Sequence, residues 1–246
     1  MTRWILPPVA CLAVVAAVSS ASRPAAAVAC PSSPANRLTI TPDSTQLITV
    51  VPARRTSTQA PLRLWTKAGG GCWIPAGGPW RAWLGRNGVS ARHREGDGTT
   101  PSGTFGFQRT MYGAATNPGV RYAYHRTVCG DWWVEDPRSR FYNRFRHVRC
   151  GAEPLFGSGE ELSRSPTAYR YLAVVDYNTH PVVPGRGSGI FLHASIGRPT
   201  SGCVSLPVGR LVTTLRWLRP AGHPRIAIGT SADLGSSAAF GSVAPS

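Results

Sequence analysis

The sequence predicts a mainly β protein, and three observations carry that prediction. Short apolar runs recur along the chain, some alternating and some continuous, with glycine- and proline-rich turns between them. No helix-period pattern runs long before position 205. Pro (22) and Gly (27) are both plentiful while hydrophobic residues make up 42%, so there is material for a core but little for long helices. A chain of 246 residues has room for one domain of roughly 150–200 residues plus terminal segments.

The N-terminus comes first. Met1-Thr-Arg3 is a short basic start, Trp4 to Val18 is largely apolar, and an alanine-rich stretch ends in Ala27-Val-Ala29. This reads as a secretory signal peptide over 1–29, cleaved near Ala29 just before Cys30. A permanent membrane span is not expected, because the run is broken by Pro7-Pro8 and is shorter than the ~20 residues that a spanning helix needs. Lipidation of Cys30 is the other possibility, and Ala27 makes a poor lipobox for it.

Export changes what the cysteines mean. Cys11 leaves with the signal peptide, so Cys30, Cys72, Cys129, Cys150 and Cys203 remain, an odd number that points to one free thiol. Cys129 and Cys150 bracket a compact aromatic and arginine-rich segment and are expected to pair, closing a loop worth ~3 kcal/mol in the chain-entropy model. Cys30 and Cys72 then pair by elimination, and Cys203 stays free. No C-x-x-C or H-x-H spacing supports a metal site, and no cofactor is suggested.

Residues 30–45 read as a linker. Gln46-Leu-Ile-Thr-Val-Val51 and Pro61-Leu-Arg-Leu-Trp65 read as strands, with further antiparallel strands from Trp73 to Leu84 separated by glycine turns. Arg94-Glu-Gly-Asp-Gly-Thr-Thr-Pro101 follows, where Asp97 suits a turn better than a catalytic acid. Asp131-Trp-Trp-Val-Glu-Asp136 sets acidic residues around paired tryptophans and could bind a sugar or peptide, although a strand with one core face is the simpler account. Tyr169 to Asn178 is a buried strand, and the Gly/Pro loop 181–188 delivers the chain to Ile190-Phe-Leu-His193. After Pro207, Leu211, Val212, Leu215 and Leu218 form one helical face, with Arg210, Arg216 and Arg219 outside it. Arg225-Ile-Ala-Ile-Gly229 is the last strand, and residues 230–246 read as a disordered tail.

The formal net charge is +16, and with Lys67 the only lysine almost all of it is arginine. Such a surface favours an acidic partner such as an anionic cell-wall polymer, unless the arginines are simply scattered. The densest run, Arg138 to Arg149, mixes aromatics with cations and taken alone could bind single-stranded nucleic acid. Export argues against a nucleic-acid partner.

The chemistry concentrates at His193 and Cys203, ten positions apart, each at the end of an apolar run. The residues between them are turn formers, so strand, loop and next element would bring imidazole and thiol to one rim. Gly202 allows a sharp turn that aims backbone N–H groups at one point, the geometry that holds an oxyanion in acyl transfer. A thiolate–imidazolium pair here would keep alkylation of Cys203 fast below the ordinary thiol pKa of about 8.5. A buried inert cysteine beside a strand-end histidine is the alternative. His93, His125, His147, His180 and His223 show no comparable context and read as surface or structural.

Thr200-Ser-Gly-Cys-Val-Ser205, the Ile-Phe-Leu-His run ending at His193, and Thr100-Pro-Ser-Gly-Thr-Phe105 together resemble, in this order, the signature of the L,D-transpeptidase (YkuD) family. The resemblance covers about residues 46–229 and implies a β-sandwich-like catalytic domain with one C-terminal helix and a short helical cover. It implies Cys203 as nucleophile and His193 as general base, with the Ala194 backbone orienting the imidazole and amides near Gly202 and Cys203 forming the oxyanion hole. The implied substrate is a peptidoglycan stem peptide, cleaved with loss of D-alanine and passed to a neighbouring amine. Two features depart from the family's pattern: Ser201 stands where a histidine is usual, and the His193–Cys203 loop is short. Ser201 would still offer a hydroxyl to the acyl donor. The expectation is therefore an exported transpeptidase. The alternatives are a carboxypeptidase or cysteine peptidase that gives the acyl group to water, or a non-catalytic basic wall-binding protein.

Overall fold

The computed structural model describes residues 1–2 and 29–235, so the body of the expected signal peptide and the tail beyond Gly235 lie outside the described residues. The expected strands at 46–51 and 61–65 are β1 (Gln46–Val50) and β2 (Gln59–Lys67). β3 is one continuous strand, Trp73–Trp83, although the sequence reading divides that stretch at its glycines. Register shifts along β2 between Leu62 and Trp65 absorb Gly77 and Gly78 without ending the pairing.

Four short or medium strands follow: β4 (Val89–Ser90), β5 (Thr100–Pro101), β6 (Gly103–Phe105) and β7 (Phe107–Gly113). Next come β8 (Ala123–Arg126), β9 (Asp131–Val134), β10 (Phe145–His147) and β11 (Gly159–Glu161). The chain then enters β12 (Leu172–Val175), β13 (Phe191–Ala194) and β14 (Val204–Leu206). The helix α1 (Val208–Trp217), the strand β15 (Arg225–Ile228) and the short helix α2 (Ser231–Gly235) complete it.

Ten strands share one sheet in the order β6-β15-β1-β2-β3-β14-β13-β12-β7-β8. β6 is one edge and β7 lies next to the other, yet only Gly106 separates them in the chain. A sheet whose far sides are joined by one residue must curl back on itself, and the main-chain bond from Asp176 N–H to Gly106 O, 2.9 Å, fastens the junction to the end of β12. The fold is thus mainly β, as expected, and the curl makes it sandwich-like. Strand alternation sorts the side chains. Leu62, Leu64, Leu192, Val204, Leu206 and Ile226 fill the interior, closed at one end by Leu211 and Leu215 of α1. The intervening residues face outward, and two further clusters cover them.

One cluster lies behind β1 and β15. Leu47, Trp65, Trp73 and Ala227 are covered there by Ala35 and Leu234. Residues 30–45, read as a linker, are therefore fastened to the domain, with Cys30–Cys72 as the staple. The ordered chain also runs past the boundary expected at 229, because Leu234 has an apolar site to fill and Asp233 accepts hydrogen bonds from the Thr230 amide (3.0 Å) and hydroxyl (2.7 Å).

The other cluster lies over β7, β12 and β13. A separate three-stranded sheet, β10-β9-β11, packs there, and Trp133 meets Phe191 edge-on at 5.2 Å between ring centroids. Cys129–Cys150 ties the base of this small sheet. Asp131, fully buried, accepts hydrogen bonds from His125 and His147, each at 2.7 Å. The Asp131–Asp136 segment is thus a strand with a core face, followed by an acidic turn.

Candidate active site

β13 and β14 run parallel, with Leu192 opposite Val204 and His193 opposite Ser205. Extending that register by one residue sets Cys203 beside Phe191, and the Phe191 amide donates to Cys203 Sγ at 3.3 Å. Phe191 and His193 are two apart on β13 and so share its outward face, while Leu192 and Ala194 point inward. The loop between the strands is held by the end of β3: Thr200 N–H donates to Leu84 O and Arg86 N–H to Thr200 O, each at 2.8 Å. Strand pairing and loop anchoring together bring the imidazole and the thiol to the floor of one cavity of ≈ 380 Å³.

The hydrogen of His193 can be placed. Its Nδ1 lies 2.9 Å from Ala194 O, and a carbonyl only accepts, so Nδ1 carries the proton and Nε2 keeps its lone pair. Burial lowers the imidazole pKa to about 4, against the upward pull of the Ala194 and Ala168 carbonyls. Cys203 is likewise buried, and burial drives its thiol well above the ordinary range. The Glu160 and Glu135 charges push the same way, and only the Phe191 amide favours the thiolate. The thiol donates to Gly189 O at 3.2 Å. No hydrogen bond joins Cys203 to His193 among the described residues. Burial disfavours both charges at once, so the surroundings pull against the thiolate–imidazolium pair considered from sequence.

Gly202 needs to be glycine. Its φ is +154°, and a Cβ there would stand 3.0 Å from Thr99 O. Its own amide already donates to Thr200 Oγ1 at 3.2 Å, so an incoming oxyanion would compete with that hydroxyl. Ser201 is exposed at the cavity rim, where its Oγ accepts from Arg86 Nη1 at 3.2 Å. Thr200 Oγ1 donates to Cys203 O at 2.6 Å, which braces the turn. Cys203 is a free thiol, and the four other described cysteines form the two expected disulfides.

Several cavity residues escape sequence reasoning. His93, read as surface or structural, is buried beside Gly202, its Nδ1 at 3.1 Å from Thr99 Oγ1 and 2.9 Å from Asp97 Oδ1. Glu95, Glu135 and Glu160 form an acidic wall, and Arg86 and Arg198 stand on the rim. Glu95 accepts from Tyr142 (2.5 Å) and Ser188 (2.6 Å), and Glu160 from Tyr169 (2.5 Å). Burial, then the charges of Glu160 and Glu95, raise Glu135 to about 8. The available signals were the Arg94-Glu-Gly-Asp turn and the Trp-Trp-Val-Glu segment, but neither says that the two meet. Among the described residues, no group of His, Cys, Asp or Glu is arranged to hold a metal ion.

The family model described as YkuD, the L,D-transpeptidase catalytic domain, matches residues 60–230. No curated protein and no solved structure matches the chain.

Proposed function

The chain belongs to the L,D-transpeptidase catalytic domain (YkuD) family, and from that premise we propose that it is an exported cysteine acyltransferase acting on peptidoglycan stem peptides. The family acts on peptidoglycan, and the two disulfides suit an extracytoplasmic setting. No helix among the described residues is long and apolar enough to cross a membrane. The single observation that carries the proposal is the pairing of a free buried thiol with an imidazole whose Nε2 is its unprotonated nitrogen, both on one cavity floor.

In the proposed mechanism His193 Nε2 takes the Cys203 proton as Sγ attacks the donor carbonyl carbon. The C–S bond forms, the carbonyl π pair moves to oxygen, and the Cys203 amide holds the resulting oxyanion. His193 returns the proton to the departing amine, the C–N bond breaks, and D-alanine leaves a thioester behind. An acceptor amine then attacks that thioester, a new C–N bond forms, and Sγ leaves and regains its proton. Starting from a neutral pair means that charge appears only as the reaction proceeds, where fixed dipoles act most strongly. Incubating the protein with a disaccharide-tetrapeptide, beside Cys203→Ala, tests this by mass spectrometry. The expected result is loss of D-alanine and a covalent adduct on Cys203 that the variant lacks. No adduct and no product with the intact thiol would rule the proposal out.

A further inference from the structure

The acidic wall is unusual in its placement. Glu95 comes from the turn after β4, Glu135 from the end of β9 and Glu160 from β11, so three separate segments bring carboxyl groups to one cavity. Glu95 and Glu160 have hydroxyl donors, but Glu135 accepts no hydrogen bond among the described residues. A Cβ on Gly189 would stand 3.1 Å from Glu135 Oε1, and Gly189 O is the acceptor of the Cys203 thiol. Glu135 is therefore set close to Cys203, half-buried and with no protein hydrogen-bond donor among the described residues. A second observation from another part of the cavity points the same way. Ser205, 1% exposed, lines the cavity opposite His193, and its Oγ has no hydrogen-bond partner. A buried hydroxyl without a partner costs stability unless a polar ligand completes it, and a carboxyl group without a protein donor stands in the same space.

Arg86 and Arg198 lie on the rim, and Arg86 is turned to Ser201 and Gly96, away from a pairing with Glu135. Neither Glu135 nor Glu160 forms an ion pair among the described residues, which leaves the wall open to a cation from solution. Resting on the acyltransferase reading above, we propose that Glu135 and Glu160 form the docking site of the acyl acceptor, a primary amine that enters as its ammonium form. Glu135 receives one N–H proton. The freed nitrogen lone pair then attacks the thioester carbon, a second N–H proton passes through His193 to Sγ, and the C–S bond breaks to release Cys203 as its thiol. Burial beside two other carboxylates holds Glu135 at about 8, so it ionises as the ammonium docks and is then a stronger base than an ordinary glutamate. Water carries no such charge, so the wall favours transfer over hydrolysis.

The test needs no acyl donor at first. N-acetyl-lysine methylamide and its norleucine counterpart differ only in the ammonium group, and calorimetric titration compares their binding to the protein. The lysine compound is expected to bind at least tenfold more tightly, and Glu135→Gln with Glu160→Gln to abolish the difference. Glu135→Gln alone removes no hydrogen bond seen in the fold, so it keeps the test valid should the double variant unfold, and it is expected to reduce the preference several-fold. No preference in the unaltered protein, or one that survives the substitutions, overturns the proposal. With a tetrapeptide donor added, Glu135→Gln is expected to cut amide product relative to hydrolysis about tenfold; an unchanged ratio overturns the proton-accepting role. An ammonium preference in a protein that never forms a thioester supports the docking site and sinks the acyltransferase reading.

Discussion

At Cys203 the surroundings store a thiol. Alkylation by iodoacetamide at pH 7 should run at least ~10-fold slower than for an exposed cysteine and climb only above about pH 9. A rate that is fast and flat below pH 8.5 would restore the ion pair. His193 makes a separate prediction, through stability. Its folded pKa, about 4, lies below its ordinary 6.5, so between these values the fold binds fewer protons than the unfolded chain. Its share of stability is whole above about pH 6.5 and is lost as pH falls toward 4, by about 3 kcal/mol. Urea midpoints across that window should fall further for the native protein than for His193→Gln; equal losses would refute the assignment. Ser205→Ala removes a buried hydroxyl that has no partner, and the ligand-free protein should keep or gain stability, against the usual direction for a core substitution. A loss above ~1 kcal/mol would show an overlooked partner.

At the scale of elements, the small sheet β10-β9-β11 decides what surrounds Cys203, since Glu135 directly follows β9 and Glu160 lies on β11. Its base is tied internally by one disulfide and by His147 on Asp131, while His125 on Asp131, Tyr169 on Glu160, Asn143 on the Tyr177 carbonyl and Trp133 against Phe191 join it to the rest of the domain. Opening Cys129–Cys150 with serine pairs should cost ~3 kcal/mol and should impair acceptor use more than thioester formation. The readout is the ratio of amide to hydrolysis product, and an unaltered ratio would detach the small sheet from acceptor binding. The pairing of those cysteines was legible because it is local, 21 residues apart around a compact segment. The strand at 131–134 was legible too. What faced the cavity was not, because Glu135 meets Glu95 only through packing between segments some forty residues apart. His93 was missed for the same reason, as its burial depends on Gly187 and Tyr177, far along the chain.

For the whole molecule, the sequence showed most strands and the final helix, where apolar runs are continuous and turns are glycine-rich. It did not show their order. The parallel pairing of β1 with β15 and the antiparallel pairing of β15 with β6 join residues more than a hundred apart, and no local pattern encodes such partners. The charge of +16 acts at this scale as well. Retention on a phosphate-bearing polymer column should be strong at about 50 mM salt and gone by roughly 1 M, where the Debye length falls to about 3 Å. Weak retention at low salt would reduce the arginines to composition alone.

The one-residue junction at Gly106 has a consequence for how this protein comes into being. β6 pairs only with β15, the last strand, so a chain still emerging from synthesis cannot close its sheet. Until residues 225–228 arrive, β1 and β6 both show open edges, and the two halves that Gly106 joins have no lasting reason to stay apart or together. Such a chain remains pliable while it is being made and becomes committed only when nearly whole. On the export proposed above, that late commitment is an asset: the cavity floor takes shape at the destination, where the two disulfides can follow it.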